Sequence, residues 1–103
     1  MAVGGDVIPP IIFPRGCTIL KVSAYLLTAP VGAAFQFDLE IDAGASIWAA
    51  GYLAIADGAN AANSTTFAND TLAADERLHV DIVQVGSGTA GADLSVTIEV
   101  LVG

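Results

Sequence analysis

Apolar and polar residues alternate without a miss through Phe35-Gln36-Phe37-Asp38-Leu39-Glu40-Ile41-Asp42. A period of two is that of a β-strand with one buried face, here carrying Phe35, Phe37, Leu39 and Ile41. The period returns where Leu78, Val80 and Ile82 alternate with Arg77, His79 and Asp81. It returns again where Leu94, Val96, Ile98, Val100 and Val102 alternate with Ser95, Thr97 and Glu99. The last run is rich in β-branched residues, which suit a pleated, half-buried surface. The stretch 18–27 predicts a longer, more apolar strand, and 46–55 another with a break or bulge at Gly51. A short extra piece is expected over 64–68, and a single helical turn over 69–76.

Turn-forming residues separate these runs: Thr28-Ala29-Pro30-Val31-Gly32, then Asp57-Gly58-Ala59-Asn60, then Gly86-Ser87-Gly88-Thr89-Ala90-Gly91, the last reading as a hairpin. Short strands at near-regular spacing, with no amphipathic helical segment between them, predict an all-β fold. The expected architecture is an antiparallel β-sandwich, jelly-roll-like, of about six to eight short strands. That domain spans 17–103. Residues 1–16 differ: MAVGGDVIPPIIFPRG holds three of the four prolines and an unbroken apolar run over 7–14. Proline fixes φ and removes a donor, which excludes helix and disfavours a central strand. The segment therefore reads as an extended arm lying on its own domain or on a neighbouring subunit, with Val7, Ile8, Ile11, Ile12 and Phe13 as its contact residues.

Composition adds a reason to expect association. Hydrophobic residues make up 54% of the 103 and charged ones 14%, against roughly a quarter charged in an ordinary soluble domain. So few charges leave apolar side chains to cover the outside. Three cations, Arg15, Lys21 and Arg77, face eleven acids for a net charge of −8. Nothing here would neutralise phosphates, so neither nucleic acid nor an anionic membrane is an expected partner. The longest uncharged runs, 22–37 and 43–56, are shorter than a bilayer span and interrupted by glycine or proline. The N-terminus lacks the basic start and apolar run of a secretory leader. Cys17, the only cysteine, cannot pair within the chain, which fits a reducing cytoplasm.

Candidate chemistry is sparse. His79 shares a strand face with Arg77 and Asp81, but no nucleophile-elbow pattern supplies a serine, so it reads as a surface or interface residue. Cys17 reads as a small buried side chain. Asp38, Glu40 and Asp42 lie about 7 Å apart along one face and read as an acidic stripe facing solvent or a partner. Asp57, Asn60, Asn63 and Asp70 carry oxygens of the kind calcium prefers, without EF-hand spacing. The glycine-rich 86–91 run lacks a phosphate cradle's lysine and helix. Trp48 and Tyr52 are candidates for an interface or a sugar-stacking platform, Trp48 being more often core. No catalytic residue, cofactor or metal is expected, and Trp48, Tyr52 and His79 remain as interface candidates.

Ala29-Pro30-Val31-Gly32 before Phe35-Gln36-Phe37-Asp38-Leu39, then Ser46-Ile47-Trp48, Phe67, the run from Leu78 to Ser87, and Ala90-Gly91-Ala92-Asp93-Leu94 together resemble small β-sandwich modules of tailed-bacteriophage virion proteins. The resemblance covers about 16–102. It implies a virion structural protein made in the bacterial cytoplasm. Most readily this is a head decoration (cement) protein, a homotrimer on the outer surface of the capsid that contacts the major capsid protein or another virion protein. The alternative it implies is a tail or head fibre tip that binds a host receptor or carbohydrate. No catalytic site comes with it.

Overall fold

The period-two runs form strands in a computed structural model, which describes residues 4–5, 11–41, 44–49 and 51–102. Val7, Ile8 and Asp42 lie outside the described residues. In chain order the elements are β1 (Gly4–Gly5), β2 (Ile11–Ile12), β3 (Cys17–Thr28), β4 (Phe35–Ile41), β5 (Ala45–Ser46), β6 (Leu53–Ile55), β7 (Ala61–Ser64), β8 (Thr71–Leu72), β9 (Arg77–Gln84) and β10 (Ala92–Val102). All pairings between them are antiparallel. In the first sheet β9 lies between the arm strands β1 and β2 and the central β4, and β5 and β6 follow one another along the far side of β4. In the second sheet β3 is central, with β10 on one side and β7 and β8 on the other.

The inward rows of the two sheets make one core. Phe35, Phe37, Leu39 and Ile41 from β4 and Leu78, Val80 and Ile82 from β9 pack with Cys17, Ile19, Val22, Ala24 and Leu26 from β3. Opposed inner faces of this kind define an all-β sandwich. β3 and β10 pair in one sheet and β4 and β9 in the other.

Two bulges explain runs that do not alternate cleanly. Glu99 pairs with Lys21 but Val100 pairs with Ile19, so Leu20 is an extra residue on β3 and the inward phase shifts from Cys17 and Ile19 to Val22, Ala24 and Leu26. Phe37 pairs with Ile82 while Gln36 pairs with Gln84, which makes Val83 the extra residue on β9. An unpaired bulge residue turns out of the ladder, and both Leu20 and Val83 are exposed.

Three local expectations need correction. The 46–55 stretch is two short strands, because Ile47 leaves the sheet: its N–H still donates to Leu39 O, but its carbonyl accepts the N–H groups of Ala68 and Asn69 at 2.8 and 3.2 Å. The strand expected over 64–68 does not form: β7 ends at Ser64, and residues 65–68 are irregular. No helical turn forms over 69–76. There β8 is followed by a tight turn closed by Ala73 N–H to Glu76 Oε1 at 2.7 Å.

The 86–91 loop is also not a hairpin, since β9 and β10 belong to different sheets. It arches across one end of the sandwich, as the β3–β4 connection does, and the two arches are tied together. The Val31 carbonyl accepts the N–H groups of Ser87, Gly88 and Thr89 at 3.1, 2.7 and 3.2 Å, while Val31 N–H donates to Thr89 O at 2.9 Å. The 57–60 turn joins them through Gly58 N–H to Pro30 O at 2.8 Å and Gly32 N–H to Asp57 Oδ1 at 3.0 Å.

Candidate functional site

The outer face of the first sheet carries most of the chain's candidate chemistry. Asp38 and Glu40 project from β4 opposite Asp81 and His79 of β9. Strand alternation puts Asp38 on this outward face, yet only 7% of it is exposed. Ser46 accounts for that: its hydroxyl donates to Asp38 Oδ1 at 2.5 Å and accepts the N–H of Trp48 at 3.1 Å. The carboxylate thus fastens β4 to the point where the chain leaves β5. Burial pushes the Asp38 pKa up. The Ser46 hydroxyl and the Leu39 backbone pull it back, and the Asp81 charge adds to the rise. Nothing in the alternation of 35–42 distinguishes Asp38 from Glu40, so the acidic stripe expected from sequence is a structural tie at Asp38. Glu40, Arg77 and His79 are each engaged in an interaction within the fold.

An acid whose folded pKa lies above its unfolded value is a net cost wherever it is charged, and the cost disappears as pH falls through the folded pKa. Asp38→Asn keeps an acceptor for Ser46 and removes both the buried charge and the repulsion from Asp81. Its thermal midpoint should exceed the wild type's at pH 7, and the gap should close as the pH is lowered into the carboxylate range. A variant less stable than wild type at pH 7 in paired melting curves would sink this account.

Trp48 and Tyr52 do not form a platform. Trp48, 6% exposed, is a core residue: its ring meets Phe37 edge-on at 5.7 Å and Phe67 at 6.3 Å. Tyr52 is exposed. The calcium-type residues do not gather. Asp57 holds Gly32, and Asn60 Nδ2 donates to Leu26 O at 2.8 Å, both at the arched end of the sandwich. Asn63 sits on β7, and Asp70 precedes β8 near the start of β3. Among the described residues no group of three or more His, Cys, Asp or Glu is placed to hold a metal ion, and no helix is long and apolar enough to cross a membrane.

Cys17 is buried, and burial raises the pKa of its thiol, which suppresses the reactive thiolate. A thiol reagent such as Ellman's should leave it untouched in native buffer and modify it fully in denaturant. Rapid modification of the native protein would contradict its placement.

The arm is accounted for in part. Gly4 and Gly5 pair with Ile82 and Asp81, and Ile11 and Ile12 pair with Leu78 and Arg77, so the described pieces lie on the chain's own β9. Ile11 and Phe13 pack against the core, whereas Ile12 is exposed. The accessible surface is 5160 Å², close to the ~5,400 Å² expected of a compact monomer of this mass. Any drive to associate therefore comes from where apolar side chains stand rather than from a shortfall in total burial. Several stand on the outer face of the second sheet. Leu20, Tyr25 and Leu27 of β3 and Leu101 of β10 are exposed there among Thr18, Ser23, Ser95 and Thr97.

Comparison with protein-family models, with curated proteins and with solved structures produced no match. What the geometry defines is the class: an all-β protein of two packed antiparallel sheets.

Proposed function

We propose that this chain is a non-enzymatic structural protein of a bacteriophage virion, a decoration protein that binds the outside of the head shell and stabilises it. The observation that carries the reading is the outer face of the second sheet, where Leu20, Tyr25, Leu27 and Leu101 stand in solvent. Along β3 and β10, the described charges on that face are Lys21, Asp93 and Glu99. A broad sheet face with apolar and aromatic side chains and few charges has the composition of an interface centre. The resemblance of 16–102 to phage β-sandwich modules supplies the partner class. The fibre-tip alternative draws less support, because burial of Trp48 removes half of the aromatic platform it would use.

Sedimentation with head shells that lack the protein tests the proposal. Wild type should pellet with the shells and saturate them. Tyr25→Asp combined with Leu27→Asp should weaken pelleting by on the order of tenfold or more, since charged groups would be buried at the contact, while leaving the melting curve near that of wild type. Wild type that stays in the supernatant, or that binds host envelope glycans instead, would overturn it.

A further inference from the structure

A sheet edge presents backbone N–H and C=O groups without partners, and natural sheets blunt their edges. Among the described residues, three edges of this sandwich are blunted. Beyond β9 lie only the two-residue β1 and β2. The far side of β4 carries β5 and β6, two and three residues long. The far side of β3 carries β7 and β8, four and two residues long. The fourth edge is different. β10 runs for eleven residues and, among the described residues, pairs with β3 alone.

No Lys, Arg or Pro, the usual guards of an edge, occurs from 92 to 102. The bulge in its ladder belongs to β3, so β10 itself is unbroken. Asp93, in a left-handed conformation at φ 58°, marks where its regular stretch 94–102 begins. The inward row Leu94, Val96, Ile98 and Val100 is only half-buried, and Val102 is exposed.

We infer that β10 is the contact between two copies of this chain, pairing antiparallel with its counterpart across a two-fold axis at Ile98. That register uses the whole regular stretch. Leu94 meets the partner's Val102, Val96 meets the partner's Val100, and Ile98 meets the partner's Ile98, so the two half-covered apolar rows join into one. On the outer face Ser95 lies opposite the partner's Leu101, and Thr97 lies opposite the partner's Glu99. No carboxylate faces another directly, which matters between molecules that each carry a net charge of −8. Moving the axis to Val96 would set Asp93 against Glu99, and moving it to Glu99 would set that residue against itself. The two-fold also closes both long edges with one isologous contact, whereas a strand donated by a different chain would bring an edge of its own. The inference stands apart from the virion reading, whose resemblance implies a trimer.

Light scattering on the full chain at micromolar concentration should give twice the 10.4 kDa chain mass; a monomer or a trimer overturns the inference. Thr97→Cys combined with Glu99→Cys places thiols on exposed, directly opposed positions, about 4.5–5.5 Å apart between α-carbons and within disulfide range. Mild oxidation should convert most of that variant to a covalent dimer. Asn63→Cys, on the opposite edge of the same sheet, should stay uncrosslinked. No cross-link in the first variant, or an equal one in the second, overturns the pairing. A dimer that fails to sediment with head shells removes the virion reading and leaves this one intact; a monomer that does sediment has the reverse effect.

Discussion

Phe37→Ala should lower the unfolding free energy by about 3–5 kcal/mol, the usual cost of deleting a buried aromatic ring. Phe37 is fully buried in the centre of β4, with Phe35 on one side at 6.4 Å and Trp48 on the other at 5.7 Å. Trp48 in turn meets Phe67, so this ring supports the contacts that hold both the 47–48 and the 67–69 segments. Because a domain of this size has a net stability of roughly 5–15 kcal/mol, the loss takes a large share of the total. Denaturant titration followed by the fluorescence of Trp48, the sole tryptophan, measures it directly. A loss below about 1 kcal/mol would mean the cavity collapses and the aromatic cluster is not the keystone described here.

Gly86→Ala should cost about 2–4 kcal/mol, from two effects that add. Gly86 has φ +115°, where a side chain is strained, and a Cβ there would lie 2.5 Å from Thr89 O and 3.2 Å from Pro30 Cβ. The near atoms belong to the two arches that share the Val31 carbonyl, so they cannot move aside without breaking the tie between β3–β4 and β9–β10. Gly58 provides the comparison. Its φ is +77°, but a Cβ there meets nothing within 4 Å, so Gly58→Ala should show only the backbone penalty of about 1 kcal/mol. Equal losses at the two positions, read from denaturation midpoints, would refute the steric part of the argument.

The long alternating runs were legible because burial on one face imposes a period of two on the sequence itself. Phe35–Ile41 forms as read. The 78–82 and 94–102 runs gain only a residue or two at their ends. The irregular parts were not legible, since their causes lie elsewhere in the chain. Ile47 leaves the sheet because Ala68 and Asn69 compete for its carbonyl. Glycines at 86–91 announce a change of direction equally well for a hairpin or an arch; only the partner at Val31 decides which. Asp38 sits in the polar phase of its strand, and its burial depends on a hydroxyl eight residues away.

Hydrophobic periodicity and turn chemistry, both local properties, determined by themselves that this chain is all-β and antiparallel. Tertiary structure alone decided which strands share a sheet, where Leu20 and Val83 bulge, that Trp48 turns inward, and that β10 is left as the one long open edge among the described residues. Those outcomes depend on contacts between residues far apart in sequence, where backbone groups and apolar rows must find partners in space.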